Sequence, residues 1–268
     1  MSTLNPRQQE AVQYISGPML VLAGAGSGKT SVITRKIAYL VKECGYKAQN
    51  IVAVTFTNKA AREMKERVGL LLRGGDARGL TVSTFHNLGL NIIRKEHKRL
   101  GYKPGFSIFD QQDAQALITD LMHRDYGADD GIEGIQAQIS NWKNDLITPE
   151  QALAAAKSPQ EQTAASVYAH YNRTLKAYNA VDFDDLILIP VMLFRDHPDV
   201  LEKWQFKIRY MLVDEYQDTN ATQYLLVKML VGNAARFTVV GDDDQSIYAW
   251  RGARPENLAQ LKEDFPAL

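Results

Sequence analysis

Residues 19–30 read MLVLAGAGSGKT, and this stretch decides how the rest of the chain is interpreted. Apolar residues run into a glycine-rich turn, and an amphipathic segment follows, so the order is strand, loop and helix. Glycines let successive backbone N–H groups point at one anion, Lys29 adds a positive charge, and the Thr30 hydroxyl suits magnesium. The pattern predicts a phosphate-binding loop. Ala23 occupies the position at which such loops usually have their first glycine. A glycine-rich connector that binds nothing is the alternative.

The composition is that of a globular protein large enough for one domain that carries an insertion. The chain has 268 residues, 45% of them hydrophobic, and its 31 lysines and arginines balance 31 aspartates and glutamates. Net charge therefore does not indicate a nucleic-acid partner. The single cysteine, Cys44, excludes an intramolecular disulfide and a cysteine-rich zinc site. Because the start lacks a signal-peptide pattern and the longest apolar run, 186–194, is too short for a membrane span, we expect a soluble cytoplasmic protein.

Strand and helix patterns alternate on both sides of a long helical region. Runs rich in β-forming residues at 51–56, 80–85, 209–215 and 235–244 predict further strands, with helical spacing between them. This alternation predicts an α/β fold with a mainly parallel sheet and ligands at the carboxyl ends of its strands. From about residue 88 to 200 helical spacing dominates, which predicts a helical insertion.

Two adjacent carboxylates, Asp214 and Glu215, follow the apolar run 210–213. Two adjacent carboxylates at the end of a strand repel each other, which costs free energy unless a bound group interacts with them. Together with the glycine-rich loop, they predict a magnesium ion held by Thr30 and Asp214. Glu215 would orient and deprotonate the water that attacks the γ-phosphate. A strand end capped by solvated acids is the alternative.

The stretch 239–253, VVGDDDQSIYAWRGA, combines acids, an amide and aromatic residues. Consecutive aspartates repel one another unless they are solvated or paired, and Gln245 could bridge a phosphate oxygen or the attacking water. Tyr248 and Trp250 could stack on nucleobases or fill the edge of the core. Phe56 and Asn58 lie where a nucleic-acid strand could cross, although core burial is the default for a phenylalanine.

Two groups of basic residues are further candidates for nucleic-acid contact. The first group, which is Lys59, Arg62, Lys65 and Arg67, is interleaved with glutamates and is typical of a solvated helix face, whereas only Glu96 offsets the second group. Contact with DNA is therefore considered for the second group, which is Arg94, Lys95, Lys98, Arg99 and Lys103.

Seven motifs, in this order and spacing, resemble the successive motifs of the UvrD/Rep/PcrA helicases of superfamily 1, with the strongest resemblance to the Rep branch. The resemblance covers the chain nearly end to end. The motifs are LNPRQQEAV, AGAGSGKT, TFTNKAAREM, STFH, VDFDDLI, LVDEYQDT and VVGDDDQSIYAWRGA.

This resemblance implies a role for each matching residue. Gln8 would recognise adenine, and Gln245 would sense the γ-phosphate and couple hydrolysis to movement. Lys29 and Thr30 would bind phosphate and magnesium, and Asp214 and Glu215 match the family's acidic pair. The implied ATP-binding residues are Gln8, Ala23, Gly24, Ala25, Gly26, Ser27, Gly28, Lys29, Thr30 and Ser31. The implied DNA-contacting residues are Phe56, Asn58, Thr84, His86, Phe183, Tyr248 and Trp250.

The resemblance also implies a domain organisation. Residues 1–87 and 201–268 would form a RecA-like, P-loop ATP-binding domain, and residues 88–200 would form the helical insertion subdomain called 1B. Ser31 departs from the pattern, because many relatives carry an arginine there, and weaker affinity for the base is expected.

Family members continue into a second RecA-like domain whose arginine fingers complete the ATP site. The chain stops before that domain, so we expect a piece of a 3′-to-5′ DNA helicase. ATP and Mg²⁺ are the expected cofactors, and the expected partners are single-stranded DNA, junctions of single- and double-stranded DNA, and replication or repair proteins. Without the fingers, the rate of hydrolysis would fall by about 10³–10⁵. A helicase-nuclease subunit, a regulatory nucleotide switch and a passive single-strand-binding module are the alternatives.

Overall fold

A computed structural model describes residues 4–23, 28–127, 131–242 and 256–268. The chain divides into two compact units. Unit 1 contains the described residues up to Leu88, then Phe194–Asn220 and Tyr224–Leu268, and unit 2 contains Gly89–Leu193 and Ala221–Gln223.

Strands and helices alternate in unit 1, whereas helices make up most of unit 2. The strands are β1 (Met19–Ala23), β2 (Ile51–Thr55), β3 (Thr81–Thr84), β4 (Ser107–Phe109), β5 (Ala180–Asp182), β6 (Tyr210–Val213) and β7 (Phe237–Asp242). The first helices are α1 (Pro6–Gln13), α2 (Lys29–Lys42), α3 (Asn58–Leu71), α4 (Phe85–Lys95), α5 (His97–Leu100), α6 (Gln111–Tyr126) and α7 (Ile132–Asn144). The later ones are α8 (Pro149–Ala155), α9 (Pro159–Ala177), α10 (Asp185–Asp196), α11 (Pro198–Lys207), α12 (Ala221–Val231) and α13 (Glu256–Asp264). Short 3₁₀ turns lie at Ala48–Asn50 and Tyr216–Asp218.

The five strands of unit 1 form one parallel sheet in the order β1-β7-β6-β2-β3. Every residue of β2 and β6 is buried, as expected for strands covered on both faces. Because the strands are parallel, their carboxyl ends meet at one edge, where Ala23 pairs with Asp242 and Thr55 with Thr84. The predicted α/β fold with a mainly parallel sheet is confirmed.

Local sequence explains where the helices of unit 1 begin. At the start of α1, Asn5 caps the helix by accepting from the backbone N–H of Gln8, and Pro6 occupies the first turn. The apolar face of α2 includes Ile33, Ile37 and Leu40, which are fully buried against the sheet. These contacts place the start of α2 beside the end of β1.

Unit 2 has its own hydrophobic core, formed mainly by α6, α7 and α9. It also contains a two-stranded parallel sheet of β4 and β5, which was not predicted. Each of these strands has three residues, too few for an alternating pattern to show. The helical stretch that follows β3 begins at Phe85 and is interrupted at Glu96.

Candidate nucleotide and nucleic-acid site

The end of β1 and the start of α2 form the described part of the glycine-rich stretch. Gly28 precedes α2 in the left-handed conformation, with φ 79° and ψ 26°, which glycine adopts without a steric penalty. Lys29, Thr30 and Ser31 follow in the first helical turn and are half-buried. This helix end presents N–H groups and a partial positive charge to an anion. The predicted residues Gly24, Ala25, Gly26 and Ser27 lie outside the described residues.

Lys29 lies against the end of the neighbouring strand. Its ammonium is 3.4 Å from Asp242 Oδ2, and the two side chains are 11% and 25% exposed. Asp242 Oδ1 is buried and accepts no hydrogen bond from the described residues. A partly buried lysine next to a carboxylate with unused acceptor capacity marks this end of the sheet as a charged, solvent-poor site.

Asp214 and Glu215 end the adjacent strand β6. Asp214 is only 6% exposed, and its Oδ1 accepts from the backbone N–H of Glu215 at 2.8 Å. Burial, and then repulsion by Glu215, raises the pKa of Asp214 to about 6. Glu215 has φ 52° and ψ 42°, a left-handed conformation that is uncommon outside glycine. The predicted acids therefore share the sheet edge with Lys29.

Gln217 links these elements; it lies in the LVDEYQDT motif but was not among the predicted site residues. Its amide Nε2 donates to Glu215 Oε2 at 2.6 Å, and its Oε1 accepts from the Asp242 backbone N–H at 2.9 Å. A Cβ at Gly241 would come within 2.9 Å of that Oε1, so glycine leaves room for the amide. Gln217 thereby holds the Glu215 carboxylate relative to β7.

The donor set at this edge fits a magnesium nucleotide. Among the described residues no cluster of three His, Cys, Asp or Glu side chains could hold a metal ion. Mg²⁺ in nucleotide sites commonly takes one or two protein oxygens and completes its shell with water and phosphate oxygens. The Thr30 hydroxyl and the Asp214 carboxylate are suitable oxygens of that kind.

Gln8 lies on α1 next to the start of α2. Its Oε1 accepts from the Asn5 backbone N–H at 2.9 Å, which completes a capping box. A Cβ at Gly28 would lie 3.1 Å from Gln8 Nε2, so the amide reaches the end of the glycine-rich stretch. The structure therefore brings Gln8 together with Gly28, and its assignment to adenine stays a prediction.

Four of the residues predicted to contact DNA gather at the carboxyl ends of β2 and β3. Phe56 is half-buried with its ring 5.3 Å from that of Phe85, and His86 is half-buried, which lowers its pKa. Asn87, which was not among the predicted residues, connects two of the four, Asn58 and Thr84. Its side-chain amide donates to exposed Asn58 at 3.2 Å, and its backbone N–H donates to buried Thr84 at 3.1 Å.

The other residues predicted to contact DNA are Phe183, Tyr248 and Trp250. Phe183 belongs to unit 2, and its side chain is 49% exposed, which is unusual for a phenylalanine. Tyr248 and Trp250, together with Gln245, lie outside the described residues. The basic side chains of the second group are all exposed, and the one acid among them, Glu96, is buried.

No helix among the described segments combines the length and the apolar character that crossing a bilayer requires.

Comparison with known proteins assigns the family. The family model described as the UvrD/REP helicase N-terminal domain matches residues 4–266. The chain is 60% identical to the ATP-dependent DNA helicase Rep of Salmonella typhimurium over 99% of its own length and 40% of that protein. It is 59% identical to Rep of Escherichia coli, with the same coverage. It is 45% identical to the ATP-dependent DNA helicase PcrA of Staphylococcus aureus over 99% of the chain and 37% of that protein.

The chain thus spans about two fifths of the length of these relatives. The matched family covers the predicted nucleotide motifs and the predicted DNA motifs alike. The chain belongs to the UvrD/REP helicase N-terminal domain family.

Proposed function

We propose that this chain is the N-terminal part of an ATP-dependent DNA helicase that moves 3′ to 5′ along single-stranded DNA and separates duplex DNA. One observation carries the nucleotide half of the proposal: Lys29 lies 3.4 Å from Asp242 at the same sheet edge as Asp214 and Glu215. A cation beside two strand-end acids is the arrangement that phosphoryl transfer requires. The polarity rests on the family resemblance.

Each residue of this edge has a part in the proposed hydrolysis. Lys29 neutralises phosphate charge, and Thr30 and Asp214 hold Mg²⁺, which neutralises charge on the phosphate oxygens. Glu215 orients the attacking water and accepts its proton. Gln217 keeps the Glu215 carboxylate in place through its 2.6 Å hydrogen bond. Gln8 binds the base beside Gly28, and Gln245 senses the γ-phosphate.

The DNA half of the proposal places single-stranded DNA along the carboxyl ends of β2 and β3. Phe56, Asn58, Thr84 and His86 follow or end these strands, and Asn87 hydrogen-bonds Asn58 and Thr84. Phe183, Tyr248 and Trp250 supply further contacts by resemblance to the family. Aromatic stacking is worth about 1–3 kcal/mol per base and tolerates any sequence, which suits a translocase. Junctions of single- and double-stranded DNA are the proposed substrate.

Units 1 and 2 are proposed to be the RecA-like ATP-binding domain and the helical insertion subdomain. The second RecA-like domain, with its arginine fingers, is proposed to complete the ATP site in the intact protein. The relatives' lengths, of which this chain spans about 40%, leave room for such a domain. The 268-residue chain alone is expected to bind nucleotide weakly and to hydrolyse it very slowly.

The test is the Lys29→Ala substitution in the intact protein that contains this chain. Loss of the ammonium should abolish DNA-stimulated ATP hydrolysis, because no other cation among the described residues pairs with Asp242. Binding to single-stranded DNA should remain largely in place, since Phe56, Asn58, Thr84 and His86 lie at the ends of other strands, β2 and β3. Steady-state ATPase assays and fluorescence anisotropy measure the two properties.

Lys65→Ala is the matched control, because Lys65 is an exposed lysine on α3. It should leave hydrolysis unchanged. A Lys29→Ala protein that hydrolyses ATP at the parental rate would rule out the proposed site. DNA affinity that does not change with nucleotide would favour a passive binding module.

A further inference from the structure

Unit 2 contains a lysine whose side chain is completely buried, and no part of the proposed nucleotide or DNA site uses it. Lys143 Nζ donates to Asp182 Oδ2 at 2.8 Å and to Asp185 Oδ1 at 2.9 Å. The Tyr171 hydroxyl donates to the same Asp182 oxygen at 2.9 Å. Asp182 and Asp185 are 6% and 8% exposed, so their carboxylates depend mainly on partners within the protein. Such a cluster is stable only while its members remain together.

The two carboxylates also close a turn of the backbone. The Asp182 N–H donates to Asp185 Oδ2 at 3.1 Å, and the Asp185 N–H donates to Asp182 Oδ1 at 2.8 Å. This reciprocal pattern has the form of a capping box and closes the turn between β5 and α10. Phe183 lies inside the turn, between the two acids, and has 49% of its side chain exposed. The turn is thus fastened through Asp182 and Asp185 while Phe183 remains open to solvent.

A close backbone contact fixes the same turn from another helix. A Cβ at Gly89, in α4, would lie 1.7 Å from the carbonyl oxygen of Leu186, the residue after Asp185. Only glycine permits this approach, so α4 packs directly on the first turn of α10.

The end of α7, which carries Lys143, is fastened as well. The Thr222 hydroxyl is within 2.9 Å and 2.8 Å of the carbonyl oxygens of Lys143 and Asn144. The Lys143 carbonyl also accepts from the backbone N–H of Leu146, so Thr222 adds a side-chain donor to a helix end that the backbone already closes. The lysine therefore approaches the turn from a helix end that is itself held in place.

The charge distribution in the cluster is uneven. The Lys143 ammonium holds the pKa of Asp182 below its usual value despite burial, whereas burial, and then the Asp182 charge, raises the pKa of Asp185 to about 7. The two carboxylates raise the pKa of Lys143 well above its usual value, although burial opposes this. A charged Lys143 is therefore the fixed centre of the cluster.

We propose that Lys143 is a positioning residue for DNA binding: through Asp182 and Asp185 it holds the 182–185 turn in the shape that presents Phe183 to single-stranded DNA. The inference rests on the proposed function, in which Phe183 stacks on a base. Lys143 touches neither DNA nor nucleotide in this role.

The test is a double-mutant cycle in the intact protein, with a fluorescent oligothymidylate of about 16 nucleotides as the probe. Phe183→Ala should weaken binding by about 5- to 100-fold, the value of one stacked base. Lys143→Met should weaken DNA binding by a similar factor, because the turn no longer presents the Phe183 ring to the DNA. The double variant should bind about as weakly as Phe183→Ala alone. ATP affinity should stay at the parental value in all three.

The outcomes separate the inference from the proposed function. If Phe183→Ala leaves DNA affinity unchanged, the proposed DNA role of Phe183 fails, and the inference fails with it. If Phe183→Ala weakens binding but Lys143→Met does not, or the two losses multiply, only the inference fails. A common loss of ATP affinity would show a general structural defect and would also overturn it.

Asp185→Asn provides the same test if the Lys143→Met protein does not fold. Asparagine keeps the shape but offers one oxygen, so either Lys143 or the Asp182 N–H loses its acceptor. Its effect on DNA affinity should again vanish in the Phe183→Ala background. Asp125→Asn is the matched control in unit 2, because the Asp125 carboxylate is 44% exposed and forms its ion pair, within the described part of the chain, with His170 at 3.3 Å. The control should bind DNA at the parental affinity.

Discussion

Two completely buried lysines, one in each unit, are stabilised in opposite ways. Lys36 in α2 donates to the carbonyl oxygens of Ala11 and Tyr14 at 3.0 Å and 2.5 Å, and none of its hydrogen-bond partners in the described segments is a carboxylate. Lys143 in α7 donates to two carboxylates. Burial lowers the pKa of Lys36 to about 7, whereas the carboxylates raise that of Lys143.

The difference shows that partners, and not burial alone, decide whether a buried lysine keeps its charge. Carbonyl groups at the end of α1 offer lone pairs and part of a helix dipole, which stabilise a donor but offset little of the cost of burying a full charge. Carboxylates add a full negative charge and offset that cost. Lys36 therefore acts as a hydrogen-bond donor that anchors the helix carrying Gln8, while Lys143 acts as a charge that organises a turn.

Replacing Lys143 by methionine should have the largest effect on stability. Two buried carboxylates would lose their counter-charge, which costs about 3–5 kcal/mol in comparable pairs. Urea denaturation followed by the fluorescence of neighbouring Trp142 reports this loss. Adding Asp182→Asn and Asp185→Asn should recover part of the stability, because the uncompensated charges are then removed. A loss of unfolding free energy below about 1 kcal/mol, which is typical of exposed ion pairs, would contradict the view that Lys143 is stabilised by charge.

Replacing Lys36 by methionine should cost less. The substitution conserves most of the volume but leaves the carbonyls of Ala11 and Tyr14 without this donor, and an unsatisfied buried group costs about 1–3 kcal/mol. Denaturation monitored by circular dichroism measures the change. A loss as large as that of Lys143→Met would mean that Lys36 is held by charge and not by hydrogen bonds.

The pH dependence of stability should have opposite signs at the two sites. Folding lowers the pKa of Lys36 from 10.5 to about 7, so the unfolded chain binds more protons between these values and stability rises with pH there. Folding raises the pKa of Asp185 from 3.8 to about 7, so its contribution to stability falls as pH rises through that window. Each slope should reach at most about 1.4 kcal/mol per pH unit.

Stability curves of the parent, Lys36→Met and Asp185→Asn proteins across this range measure the two contributions. The difference in unfolding free energy between the parent and Lys36→Met proteins should change with pH above pH 7. The difference between the parent and Asp185→Asn proteins should change with pH below pH 7. A flat difference in either window would contradict the assigned protonation of that group.

The sequence was sufficient for the features that follow from local pattern. The glycine-rich stretch, the alternation of strands and helices, and the acids after β6 each occupy a few consecutive residues, so they could be predicted together with their shared sheet edge. The contacts of Gln217 could not, because its partners are set by how the 216–218 turn packs on β7.

Long-range charge pairing was equally inaccessible. Lys143 and Asp182 are 39 positions apart, and nothing in the pattern around either residue indicates the other. The sequence around Lys36 is that of an ordinary helix lysine, and its burial follows from the packing of α1 against α2. The short strands β4 and β5 were missed for the same reason, since their pairing depends on the packing of unit 2.

The left-handed backbone of Glu215 restricts what mutation can do at this position. β-Branched residues such as valine and threonine are strained in that conformation, whereas asparagine, aspartate and glycine adopt it readily. Asparagine and glycine lack a carboxylate, and aspartate is shorter by one methylene. The residues that adopt this backbone conformation most easily are thus not those that suit the proposed proton transfer. We therefore expect the proposed chemistry to require glutamate at position 215, although the left-handed conformation is unfavourable for it.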